Sequence, residues 1–243
     1  MVCSKKLGEI KGPLIVWLFF TFYLVILPLF TALTTLTLTS LLIQTAEVYG
    51  VFLVFLIIFL ALWEKKRSLI DILCSLGIKG NGTTKSVLWS FALLPLFIVI
   101  GLMTMTLGNF LVTVSTLGFS NQQFPVWYMW YQIISSFFPV AFVEEAIARG
   151  YILDRLMYQH PSSLAGALPA ILLSSLLFTL YHLPTYLRSY PSQIPLIGIQ
   201  AINVFLISVV LGVAYVRART GNIIGPILVH FLLDAMPIAL LIA

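Results

Sequence analysis

Long stretches with few or no charged residues, at about 14–44, 47–63, 87–116, 126–158, 164–187, 194–216 and 222–242, decide what this chain can become. Each is close to or beyond the ~20 helical residues that cross a hydrocarbon core. Lipid offers no partners to backbone N–H and C=O groups, so continuous runs of this kind must close their hydrogen bonds internally, as helices. Composition agrees: the chain is 60% hydrophobic and 9% charged with a mean hydropathy of +1.08, which excludes a soluble domain. We expect an all-α, polytopic bundle of about seven transmembrane helices. The count rises to eight if Pro28 and the Thr-rich half from Thr31 to Ser40 divide the first run. The chain reads as a single integral membrane domain, 1–243, with N-terminal helices over 1–120 and a polar core over 126–240; neither a soluble domain nor an internal repeat is visible.

The net charge of +5 raises nucleic acid as a partner, but the cations sit in short loops, where membrane topology accounts for them. With the N-terminus in the cytoplasm, the inside segments hold Lys5, Lys6, Lys11, Lys65, Lys66, Arg67, Lys79, Lys85, Arg155, Arg217 and Arg219. The outer loops then hold only Arg188. The expectation is a protein of the cell membrane whose surroundings are the lipid bilayer, with no nucleic-acid partner. The first apolar run exceeds the about 7–15 residues of a signal-peptide core, so it reads as a retained helix. Between Glu64 and Lys85, Gly77, Gly80 and Gly82 mark turns, and Ser68 to Leu76 is amphipathic enough to lie at the interface. Cys3 and Cys74 show no disulfide or metal spacing, and no metal or cofactor is expected.

Against this background Glu144, Glu145 and Arg149 stand out, because an ionised side chain at the bilayer centre costs roughly 2.5–3.5 kcal/mol or more. On a helix Glu145 and Arg149 lie four apart with the acid first, the better order for an ion pair, while Glu144 points about 100° away. Glu144 is left without a salt-bridge partner, which suits a carboxyl group that must take and return a proton. Phe178 and His182 share a helix face, as do His230 and Asp234, and both pairs interrupt apolar segments. Ser174, Ser175, Asn203 and Ser208 read as helix-packing groups, and His160 as a loop residue.

Polar residues from separate transmembrane helices line a common cavity, since none can face lipid cheaply. A carboxylate and an imidazole can together hold and deprotonate water, and a second imidazole with a neighbouring donor can stabilise an oxyanion. That set suits hydrolysis of an acyl bond. HExxH, GxSG and GxGD patterns are all absent, and neither cysteine lies in an apolar span, which favours water as the nucleophile. Depth is a difficulty: a helix starting near 164 carries His182 ~27 Å along its axis, beyond the expected level of Glu144 and His230.

These residues stand in three ordered motifs: EExxxR at Glu144 to Arg149, FxxxH at Phe178 to His182, and HxxxN-or-D at His230 to Asp234. In them the chain resembles the CAAX protease and bacteriocin-processing family, which includes type II CAAX prenyl endopeptidases and Abi-type membrane proteins. The resemblance covers about 126–240; residues 1–120 match only as generic membrane helices. It implies a metal-independent glutamic endopeptidase in which Glu144 and His182 activate water and His230 and Asp234 form the oxyanion site. Arg149 would hold Glu145, and Phe178 would line the substrate cavity. The substrate would be a lipidated C-terminus or a small membrane-associated peptide. Asp234 departs from the prenyl proteases, which carry Asn there. An ionised Asp cannot donate to an oxyanion, whereas a protonated one can. Burial in an apolar helix favours the protonated form. Alternatives are a zinc protease using His182, His230 and a carboxylate, a non-catalytic scaffold or bacteriocin-immunity protein, and a proton-coupled transporter.

Overall fold

The computed structural model describes residues 11–31, 38–66, 68–115, 126–157 and 163–242, and among these it is helical with no strand. The helices are α1 (Lys11–Thr31), α2 (Leu38–Leu62), α3 (Leu69–Ser75), α4 (Thr83–Ala92) and α5 (Leu94–Ser115). A continuous helical run follows: α6 (Val126–Ser135), a π segment (Ser136–Ala141), α7 (Phe142–Glu145), a second π segment (Ala146–Leu153) and α8 (Asp154–Leu156). The chain then makes α9 (Leu164–Ser189), α10 (Ile194–Ala218) and α11 (Ile224–Ile242).

Two helices among the described residues, over Leu164–Arg188 and Ile194–Ala218, are long and apolar enough to cross a membrane. A third span is formed if α4 and α5, bent by 42° at their junction, count as one. The expected seven or eight spans are therefore established for two to three helices. The first apolar run, expected over 14–44, is divided: α1 ends at Thr31 and α2 begins at Leu38, so Leu41 to Gln44 belong to the second helix. Residues 32–37, in the Thr-rich half, lie outside the described residues, as do Lys5, Lys6, Arg67 and His160. The division falls within Thr31 to Ser40, the stretch that the sequence offers as a place to divide the run.

Polar side chains of the helices turn inward, and many large apolar ones face outward. On α9, Leu168, Leu172, Leu176, Leu180 and Leu187 are exposed, at the spacing of one helix face, while Ser174, Ser175, Phe178, Thr179 and Tyr181 are buried. In lipid the leucines lose nothing by facing outward, and the hydroxyls need protein partners. Ser174 accordingly donates to the Ala148 carbonyl at 3.0 Å. α9 packs against α10 and α1, and α10 against α5 and α4. α11 packs against α4, α6 and the first π segment.

The basic loops gather at one end of the bundle. Arg155 grips Glu64 with two hydrogen bonds, at 3.0 and 2.6 Å, and reaches Asp154 at 3.0 Å, tying the end of α2 to α8. Tyr215 of α10 donates to the same Asp154 at 3.0 Å. As expected, α3 is a short amphipathic element: Ser68 caps it by accepting from the Asp71 amide, Leu69 and Ile70 are exposed, and Ile72 and Leu76 are buried. Gly77 and Gly82 take positive φ in the turns that follow. A Cβ on Gly150 would lie 2.0 Å from the Leu76 carbonyl oxygen, so glycine alone lets this loop touch the second π segment.

The same loop carries the start of α11 into the interior. Ile223 donates its amide to the Gly77 carbonyl at 3.0 Å, Ser86 donates to the Asn222 carbonyl at 2.8 Å, and the Asn222 side chain caps Ile224 at 2.9 Å. Asn222 and Ile223 are completely buried, whereas the first turn of α9 is largely exposed. α11 therefore begins inside the bundle and α9 at its surface. Despite the expected mismatch in depth, His182 and His230 approach the same carboxylate oxygen of Glu144, at 3.9 and 3.7 Å.

Candidate active site

Glu144 and Glu145 occupy the four-residue stretch of α-helix between the two π segments. Pro139, in the first π segment, has no N–H to return to the preceding turn, and π turns absorb such a break. Both carboxylates are buried, as is Arg149.

Glu145 Oε1 accepts from Arg149 at 2.7 Å, which is the expected i,i+4 pair. The same oxygen lies 2.8 Å from His230 Nδ1, a contact between α7 and α11 that spacing along the chain does not reveal. An anion paired to a guanidinium accepts, so Nδ1 of His230 is the donor. Its Nε2 then points to the other side, 3.7 Å from Glu144 Oε2 and 3.5 Å from Asp234 Oδ2.

His182 is oriented by the same logic. Its Nδ1 lies 2.8 Å from the Phe178 carbonyl, which can only accept, so Nδ1 carries the hydrogen and Nε2 of the neutral ring presents a lone pair. That Nε2 is 3.9 Å from Glu144 Oε2. Distances of 3.7 and 3.9 Å are too long for hydrogen bonds and suit one bridging oxygen atom between the groups. The Tyr181 hydroxyl, buried and without a hydrogen bond of full geometry, lies beside the Glu144 carboxylate.

Phe178, expected in the substrate cavity, is a packed wedge. The Arg149 guanidinium lies 4.8 Å from its ring centre, His182 4.8 Å and His230 6.2 Å. Its ring also lines a narrow cavity beside Glu144, together with Trp17, Phe20, Ile147 and Tyr181. The wall of that cavity thus includes α1, which the sequence marks only as a membrane helix. Trp17 donates its indole N–H to the Leu177 carbonyl at 2.7 Å, and Phe20 meets Tyr181 at 4.5 Å between ring centres. Ser208, read as a packing residue, binds Arg149 through both its hydroxyl and its carbonyl, at 2.8 and 3.0 Å.

The structure therefore brings Glu144, Glu145, Arg149, His182, His230 and Asp234 together from three helical runs. Asp234 stands at the rim, its side chain 37% exposed against 8% for Glu144. Among the described residues no three His, Cys, Asp or Glu side chains are arranged to hold one metal ion.

A helical integral membrane protein with an acid–base cluster buried between its helices is the class that fold and site define. Residues 125–236 match the family model described as type II CAAX prenyl endopeptidase Rce1-like. The matched segment carries all six of these side chains, and the family it resembles is a family of proteases. No curated protein and no solved structure matches the chain.

Proposed function

We propose that the protein is an intramembrane endopeptidase in which Glu144 and His182 activate a water molecule for attack on a peptide carbonyl. The observation that carries this reading is a carboxylate oxygen facing the Nε2 atoms of two histidines from different helices, each with its Nδ1 already committed. A water between Glu144 and His182 gives one hydrogen to each acceptor. As its oxygen attacks the carbonyl carbon, Glu144 takes a proton and later returns it to the leaving amine. The oxyanion forms on the side of His230 and Asp234. The substrate is a lipidated C-terminus or a small membrane-associated peptide. The end bearing Lys65, Lys66, Lys79, Lys85, Arg217 and Arg219 faces the cytoplasm, and the N-terminus with it. Comparing the peptides that accumulate in membranes bearing the wild type and Glu144→Ala tests the reading. Identical peptide populations at equal expression would refute it.

Two further outcomes discriminate the chemistry. EDTA and 1,10-phenanthroline are expected to leave cleavage unchanged, since the proposed nucleophile is water held by side chains alone; stoichiometric zinc in purified, active protein would overturn this. The second concerns Asp234. With its Nδ1–H given to Glu145, His230 can donate from Nε2 only as the imidazolium, and the one charge of Glu145 is already matched by Arg149 at 2.7 Å. A neutral His230 then has no donor at Nε2, and a protonated Asp234 supplies it. Asp234→Asn should therefore keep turnover within about tenfold of wild type, while Asp234→Ala should lose about 10²–10³, the scale of one oxyanion donor. Equal, large losses in both folded variants would assign Asp234 to the ionised role.

A further inference from the structure

The Arg149 guanidinium is buried between its own helical run, α9 and α10, and its contacts reach beyond Glu145. One of its nitrogens makes two hydrogen bonds to a single residue of α10, to Ser208 Oγ at 2.8 Å and to the Ser208 carbonyl at 3.0 Å. The other terminal nitrogen donates to Glu145 Oε1 at 2.7 Å, and that oxygen also accepts from His230 Nδ1 at 2.8 Å. We propose that Ser208 is a positioning residue for the reaction, acting through Arg149 and Glu145 to hold the His230 ring with Nε2 turned toward Glu144 and Asp234. This rests on the reading of the site given above.

The chain of contacts is directional. Glu145 Oε2 is buried without a hydrogen-bond partner, so a single oxygen carries both the guanidinium and the imidazole. Turning the carboxylate about its axis would break both bonds together. The direction of the guanidinium is set at its other end by Ser208, and there the hydroxyl is the acceptor that counts. The Ser208 carbonyl lies inside a helix, where it also serves the N–H four residues on, while the hydroxyl has no such duty. Ser208 is itself held at depth: one turn along, a Cβ on Gly212 would lie 2.9 Å from Ile171 Cγ2, so α10 and α9 are in close contact at this level. The face of Phe178 limits the guanidinium on a further side, leaving rotation away from α10 as the motion the hydroxyl prevents.

The test uses the full-length protein in nanodiscs with Ser208→Ala, Ser208→Thr and, as control, Thr104→Ala. The Thr104 hydroxyl meets α10 at Asn203, 3.2 Å away, without touching Arg149. Two quantities are read: kcat and KM on a cleaved peptide, and the imidazole Nδ1–H proton resonance of His230 in protein with 15N-labelled histidine, identified by its loss in His230→Gln. Ser208→Ala should lower kcat about tenfold or more with KM nearly unchanged, the signature of a misplaced group. It should also broaden or abolish the His230 resonance. Ser208→Thr, which keeps the hydroxyl, should restore both, and Thr104→Ala should alter neither. The proposal is overturned if Ser208→Ala leaves the resonance intact, whatever happens to kcat, or if a folded Ser208→Thr behaves like Ala. If the wild type cleaves no peptide, the protease reading fails on its own, and the resonance still decides whether Ser208 orients His230.

Discussion

Glu144→Gln should lower peptide cleavage about 10³-fold or more while the melting temperature stays within a degree or two of wild type, as expected for loss of a positioned general base. The amide keeps the shape of the side chain and cannot take a proton from water. Nothing structural is broken, because the nearest charged partners of Glu144 are 3.7 and 3.9 Å away and neither contact is a hydrogen bond. Single-turnover cleavage of a peptide identified from wild-type membranes, with thermal melting of both proteins in one detergent, measures the two halves of the expectation. Turnover above about a tenth of wild type would remove Glu144 from the base's role.

Glu145→Ala should behave differently. It strands the Arg149 guanidinium, which is 1% exposed, and breaking a buried pair from one side costs about 3–5 kcal/mol. It also leaves His230 Nδ1 without its acceptor, so the variant should lose both stability and turnover. Denaturant or thermal unfolding beside Glu144→Gln makes the comparison. Equal stability in the two variants would show that the adjacent acids do not divide the work between base and scaffold. Truncating both members, as in Glu145→Ala with Arg149→Met, should recover part of the stability and none of the activity, because the uncompensated charge is gone while the histidine remains unanchored.

Much of the site is legible in the sequence because helical periodicity encodes contacts within one helix. The spacings of Glu145 and Arg149, Phe178 and His182, and His230 and Asp234 each predict a pair on one face. All three are met, the first as an ion pair at 2.7 Å, the second as an imidazole on its own helix carbonyl and ring, and the third at 3.5 Å. The rarity of charge in apolar segments also singles out these residues, since each must be compensated.

Contacts between helices obey no such period. That Glu145 holds His230 as well as Arg149, that Ser208 is an acceptor for a buried cation, and that Trp17 and Phe20 of α1 wall the cavity beside Glu144 depend on how deep each helix sits and how it is rotated. In a soluble protein an apolar stripe reveals that rotation. Here leucine faces lipid and protein alike, so a helix such as α9 shows its buried face only through a few hydroxyls and one aromatic-histidine pair. Depth is equally silent. The recessed start of α11 follows from Asn222 and Ser86 meeting across 136 residues of chain, and from glycines at 77 and 82 whose positive φ shapes the loop between them. The sequence by itself determined that the chain must be helical within a membrane and which side chains carry charge there. Only tertiary packing decided which of those charges meet, because the forces that set helix depth and rotation in lipid are close fits and hydrogen bonds between helices, and these leave no periodic trace along the chain.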